Sequence, residues 1–190
     1  MQLLKLAISL TASAIFLVGC TSQPPQTLSS PTTSENPQTT DSTILDAAVK
    51  ELQVLKAKIE SGIDDRAYSV IITNTLPIVQ KAKGEAKAVA AAKSALQGHQ
   101  LALKLWQCDR IYGYEELHQC QDKALAEIFA KYPDIKAQAK VAVKGEAVAT
   151  ASTGLDKEAI LKAIWKKTSA DTEMARQLGA QQQGSKGATP

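Results

Sequence analysis

The sequence predicts an all-α protein, an antiparallel bundle of about five or six helices behind a disordered N-terminal tether. Ala and Lys dominate the second half of the 190-residue chain, and aromatic residues make up only 4%, a composition that favours helices. Apolar residues recur at alternating spacings of three and four, which places them on one helix face. The strand-like residues 70–73 have no apparent pairing partner, and a lone strand is not stable.

The N-terminal residues 1–19 predict a signal peptide. Lys5 precedes an apolar run over residues 6–17, which is too short for the roughly 20 residues of a membrane-spanning helix. The run ends in Leu-Val-Gly-Cys at residues 17–20, a motif that resembles the lipobox of bacterial lipoproteins. The resemblance implies that Cys20 is diacylated on sulfur, becomes the mature N-terminus and is then N-acylated. The alternative is an ordinary signal peptide followed by an incidental cysteine.

The lipobox resemblance also implies a location. Thr21, rather than Asp, follows the lipidated cysteine, and in enteric-type bacteria this resembles the pattern that is sorted to the outer membrane. We therefore expect a lipid-anchored protein of the cell envelope, at the outer membrane facing the periplasm. Residues 20–43 contain almost no apolar side chain and predict a disordered linker. The bundle is expected over residues 44–178 and a disordered tail over residues 179–190.

The first three helices follow from caps and apolar seams. Helix one is expected to start near Thr43 and to stop at Gly62, a residue suited to the left-handed conformation. Helix two is expected from Asp64 or Asp65, with a break or kink at Pro77. Helix three is expected over residues 85–106. The seam of helix one is Leu45, Ala48, Leu52, Leu55 and Ile59, and that of helix three is Val89, Ala92, Leu96, His99, Leu103 and Trp106.

Three further helices are expected after residue 114. The fourth runs from Glu115 to Tyr132 and ends before Pro133, which cannot continue a hydrogen-bonded helix. The fifth runs from Asp134 to about Ala151. The last follows a cap formed by Thr153 and Asp156. His99, on the seam of the third helix, is interpreted as a half-buried residue with a hydrogen-bonded tip, and metal ligation is the less favoured alternative.

The three cysteines predict one disulfide. Lipid consumes Cys20, which leaves Cys108 and Cys120, and the periplasm oxidises such pairs. The alternative is a metal site, but two cysteines with only His118 nearby fall short of a four-ligand zinc set. We therefore expect a disulfide, no metal and no cofactor.

Residues 47–106 resemble a helical-hairpin pattern in uncharacterised bacterial proteins. In that pattern a Leu-rich helix ends at Gly-Ile or Gly-Val, a Tyr starts the next turn and a Trp closes a later helix. The residues that carry the resemblance are Leu52, Gly62, Ile63, Tyr68 and Trp106. The resemblance implies no activity.

Charge and motifs argue against two classes of function. A net charge of +3 without a basic face does not suit nucleic-acid binding. The sequence contains no nucleophile elbow, Walker loop, dinucleotide fingerprint, zinc-protease motif or haem-binding motif. His99 and His118 are the only histidines, so few parts of a catalytic site are available. We expect no enzyme activity.

The strongest functional feature is a cluster of aromatic residues around the predicted disulfide: Trp106, Tyr112, Tyr114 and His118. Rigid aromatic loops commonly anchor protein interfaces. The alternative is that these rings pack on the disulfide and plug the bundle. The function expected first is a non-enzymatic binding or accessory factor that contacts an envelope protein. Alternatives are an inhibitor of a cell-wall hydrolase, similar to lysozyme inhibitors, and a small-ligand carrier.

Overall fold

The computed structural model describes residues 37–142 and 155–186, which form six α-helices and no strand within those ranges. The all-α class is confirmed. The signal peptide, Cys20, the first part of the linker, residues 143–154 and residues 187–190 lie outside the described residues. The helices are α1 (Pro37–Glu60), α2 (Asp65–Gln80), α3 (Ala86–Gln107), α4 (Tyr114–Lys131), α5 (Pro133–Ala142) and α6 (Lys157–Lys186), with a short 3₁₀ turn at Cys108–Arg110.

The helix ends follow the predicted local signals. Backbone N–H groups in the first turns of α2, α3 and α6 donate to the side chains of Asp64, Glu85 and Asp156, at 2.6 to 3.0 Å. Such caps satisfy backbone donors that have no partner inside the helix. Gly62 follows α1 with φ +82, the left-handed conformation that glycine adopts without a steric penalty. The predicted starts of α2, α3 and α6 and the predicted stop at Gly62 are confirmed to within one residue, whereas capping by Asp64 and Glu85 was not predicted.

Two outer boundaries differ from the predictions. Helix α1 begins at Pro37, six residues before Thr43; proline is accepted at a helix start because its missing N–H would have no partner there. Helix α6 continues to Lys186, so the tail predicted at 179–190 was wrong for residues 179–186. Gly179 is buried and lies against Leu45 of α1. Packing against α1 thus extends α6 beyond the point at which its sequence becomes polar.

The expected break at Pro77 does not occur. Helix α2 runs without interruption to Gln80. Pro77 has no N–H to donate to the Thr73 carbonyl, but the helix continues past it, and the Pro77 carbonyl accepts from the Lys81 N–H at 3.3 Å. Val79 is fully buried, so packing holds this turn in place despite the proline.

Helix α3 lies at the centre of the bundle and contacts α1, α2, α4 and α6. Along α3 and α6 the contacts run in opposite directions, because Ser94 meets Asp171 whereas Gly98 meets Thr168. The two helices are therefore antiparallel, as predicted. A Cβ at Gly98 would lie 2.5 Å from Thr168 Cγ2 and would also overlap the Tyr132 hydroxyl. Glycine at this position permits the close approach of α3 to its neighbours.

The two predicted seams form much of the core. Each contributes buried residues or residues packed against the buried cluster. Helix α3 also buries a second row of small residues beside its seam. The buried members of that row are Ala88, Ala91, Ala95, Gly98 and Ala102.

Candidate functional site

The connection between α3 and α4 is held by a disulfide. Cys108 and Cys120 are joined, with Cα atoms 5.7 Å apart, which confirms the predicted pairing. After the 3₁₀ turn the chain extends at Ile111, and Gly113 caps α4 while its carbonyl accepts from the Leu117 N–H at 2.9 Å. The connection is thus short, and each end of it is covalently fixed to the same bridge.

Two ion pairs hold the 3₁₀ turn against other helices. Asp109 pairs with Lys157 at the start of α6, and Arg110 pairs with Asp65 at the start of α2. The Arg110 hydrogen bond holds the pKa of the Asp65 carboxyl below its usual range. Exposed pairs of this kind add little stability individually. Together with the disulfide they fix the position of the turn relative to three helices.

The tyrosines that follow the turn project into solvent. Tyr112 is fully exposed, and Tyr114 is 72% exposed. The ring of Tyr114 stands edge-on to His118, with centroids 4.3 Å apart. Both tyrosines are more exposed than Trp106, as expected for a projecting loop. We call residues 111–114, with the side chains of Tyr112 and Tyr114, the tyrosine loop.

Trp106 lies elsewhere. Its ring is partly buried and contacts the rings of Tyr68 and Trp165, each with centroids 5.7 Å apart. The structure therefore divides the four predicted interface residues between two places. Tyr112, Tyr114 and His118 share one surface, and Trp106 belongs to an aromatic cluster between α2, α3 and α6.

Tyr68 is the hub of that aromatic cluster. Its side chain is fully buried, and its hydroxyl accepts a hydrogen bond from Trp165 Nε1 at 3.1 Å. The same hydroxyl lies 2.8 Å from His99 Nδ1. The phenol also lies 3.4 Å from the His99 carbonyl, to which it can donate. The Tyr68 hydroxyl thus links Trp165 to His99 by hydrogen bonds inside the core.

His99 is neutral in this arrangement. It is only 2% exposed, and burial lowers its pKa to about 3, because an uncompensated charge is costly away from water. The expected hydrogen-bonded tip is confirmed, but the ring is fully rather than half buried. Among the described residues, the ring shares a hydrogen bond with the Tyr68 hydroxyl and completes a polar link inside the core.

Sequence reasoning did not single out Trp165 or Tyr68 as partners of His99. The hydrogen-bonded residues are separated by 31 and 97 positions, and apolar periodicity carries no information about such pairings. The one available signal was that the chain has two tryptophans, one at the end of α3 and one in the first half of α6. That signal does not identify which rings meet.

A second polar cluster links α3, α4 and α6. Ser94 donates to Asp171 at 2.7 Å and accepts from Lys131 at 3.0 Å. Burial lowers the pKa of Lys131, and the Asp171 carboxylate opposes that shift. A lysine acting as a base would be neutral and would accept the serine proton, whereas this lysine donates. We interpret the cluster as a structural contact between helices.

Among the described residues, no group of three or more His, Cys, Asp or Glu side chains is arranged to hold a metal ion. Within residues 37–142 and 155–186, no helix combines the length and apolar character needed to cross a bilayer. Comparisons of the chain with protein-family models, curated proteins and solved structures found no match.

Proposed function

We propose that this chain is a non-enzymatic binding or accessory factor of the cell envelope, and that it contacts a partner protein through the tyrosine loop. The observation that carries the proposal is the exposure of Tyr112 and Tyr114 on a turn that a disulfide and two ion pairs hold in place. Exposed rings on a fixed backbone lose little entropy when a partner covers them. They are therefore suited to act as interface anchors.

The chemistry around the loop indicates the kind of partner. Glu115 and Glu116 are exposed beside Tyr114 at the start of α4. Their carboxylates, next to two phenol rings, complement a surface that carries Lys or Arg around an apolar centre. We therefore propose a basic, partly apolar patch on an envelope protein as the surface that the loop contacts.

The proposed anchor is the lipid on Cys20. Each buried CH₂ of an acyl chain contributes roughly 0.8 kcal/mol to membrane binding. Stable anchoring takes two membrane-binding signals, for example two acyl chains. The protein should therefore partition into detergent, and Cys20→Ala should accumulate as an unprocessed precursor. Recovery of the mature native protein in the aqueous phase with a free Cys20 thiol would contradict the anchor.

The loop is tested by capture of envelope proteins on the immobilised full chain. Tyr112→Ala with Tyr114→Ala should weaken capture by a factor of about 30 or more, since truncating a central interface aromatic costs about 2 kcal/mol or more. The matched control replaces two other exposed apolar residues, Val70→Ala with Met174→Ala, at 59% and 52% exposure. Equal capture by both folded double variants would remove the loop as the contact surface.

The same carboxylates favour one second candidate, an inhibitor of a cell-wall hydrolase. An acidic loop with exposed rings complements the basic surface of a cationic hydrolase. Under this proposal the full chain lowers the rate of muramidase action on cell walls, and Glu115→Gln with Glu116→Gln relieves the inhibition. A rate that does not depend on added protein would exclude the candidate.

A further inference from the structure

Two clefts share Trp165 as a lining residue. One cleft has a volume of about 220 Å³ and reaches His99, and the other has a volume of about 250 Å³ and reaches Trp106. Both are lined by Ile59, Lys162 and Trp165. The clefts therefore share one aromatic wall between the end of α1 and the first half of α6.

The shared wall is held in position from within the protein. Trp165 donates its indole N–H to Tyr68, and its ring meets Tyr68 edge-on with centroids 6.3 Å apart. A tilted contact with Trp106 supports it from a second side. These contacts within the protein fix the position of the ring, and such preorganisation lowers the cost of binding.

The rim of the clefts is basic. Four lysines and two glutamates line them: Lys56, Lys157, Lys162, Lys166, Glu60 and Glu158. The Lys56–Glu60 and Lys162–Glu158 distances are both 3.7 Å, long for an ion pair, and Lys166 is exposed. Lys157 is already paired with Asp109, so the positive charge beside Trp165 comes from Lys162 and Lys166.

We infer that these clefts bind a small planar organic anion, a single aromatic ring that carries a carboxylate. Sites for drug-sized ligands occupy about 300–1,000 Å³, so each cleft suits one ring with a short acidic arm. The ring packs against Trp165 and Ile59, and the carboxylate lies near Lys162 and Lys166. None of residues 111–114 lines the clefts, and the inference does not rest on the proposed partner contact.

The test follows the two indole N–H signals of the isotope-labelled full chain by nuclear magnetic resonance while phenylacetate is added. The chain contains only two tryptophans, and both line the clefts. Phenylacetamide, which has the same shape without the charge, is the comparison compound. We expect a saturable shift of the Trp165 signal, with phenylacetate binding about fivefold more tightly, since exposed charge pairs contribute up to about 1 kcal/mol.

Two double variants test which lysines provide the positive charge that favours phenylacetate. Lys162→Gln with Lys166→Gln should remove the preference for phenylacetate, whereas Lys83→Gln with Lys93→Gln, beside the turn between α2 and α3, should keep it. Both variants lose two lysines, so a general effect of net charge would act equally on them. The inference is overturned if neither compound gives a saturable shift, if both bind equally, or if the preference falls alike in both variants. These outcomes are independent of partner capture by the tyrosine loop.

Discussion

Removing the hydroxyl of Tyr68 should destabilise the bundle far more than removing the hydroxyl of Tyr132. Both phenols are buried, and burial raises the pKa of each. The Tyr68 hydroxyl bonds to His99 and Trp165, whereas the Tyr132 hydroxyl has no hydrogen-bond partner among the described residues. Tyr→Phe therefore deletes the same atom from two opposite hydrogen-bonding environments.

The magnitudes follow from the partners that are left behind. Tyr68→Phe leaves His99 Nδ1 and the Trp165 N–H unpaired, and an unsatisfied buried polar group costs about 1–3 kcal/mol. Because Trp165 is only partly buried, the cost of its unpaired N–H lies at the low end of this range. We expect Tyr68→Phe to lower the free energy of unfolding by about 2–4 kcal/mol. Tyr132→Phe removes a hydroxyl that is itself unsatisfied, so stability should stay level or rise by about 1 kcal/mol.

The assay is urea unfolding of the three proteins, followed by circular dichroism with the disulfide intact. The unfolding midpoint of Tyr68→Phe should fall and that of Tyr132→Phe should not, with unchanged slopes. Equal losses in the two variants would refute the reasoning, because hydrogen bonding at Tyr68 would then contribute nothing beyond packing.

Three other perturbations test the fold. Gly98→Ala should lower the stability measured by thermal unfolding by about 1–2 kcal/mol, because overlap of the new Cβ with Tyr132 and Thr168 outweighs the better helix propensity of Ala. A gain in stability would contradict the close approach of the helices at Gly98. Reducing the Cys108–Cys120 bridge, which spans 12 positions, should lower the thermal midpoint by roughly 10 °C while low-temperature helicity persists; an unchanged midpoint would oppose this. The third perturbation is a change from pH 7 to pH 5. His99 takes up a proton over this range in the unfolded chain but stays neutral in the folded chain, where its pKa is about 3. The free energy of unfolding should therefore fall by about 2 kcal/mol at pH 5, and a His99→Gln variant that shows the same fall would refute this.

Local signals predicted most of the fold. Asp64, Glu85 and Asp156 act within three residues of the groups they cap, and the apolar seams repeat within each helix. The disulfide was predictable because the lipobox resemblance set Cys20 aside and left two cysteines. Each of these features can be recognised from neighbouring residues or from a short count.

The remaining features depend on contacts between distant parts of the chain. Polar composition suggested that α1 began later and α6 ended earlier than observed, because packing such as that of Gly179 on Leu45 is not encoded locally. The sequence identified the rings of the candidate site, but it could not show that Trp106 joins Tyr68 and Trp165 while Tyr112 projects into solvent. That division depends on how α2, α3 and α6 meet.

The most direct test of the proposed contact surface is site-specific photo-crosslinking in intact cells. A photoreactive phenylalanine replaces Tyr112 in one strain and Val70, an exposed residue on α2, in a control strain. The proposal predicts a crosslink from position 112 to one defined envelope protein, weakened by Tyr114→Ala, and none to that protein from position 70. The same products from both positions, or no protein product from position 112 in correctly anchored protein, would contradict it.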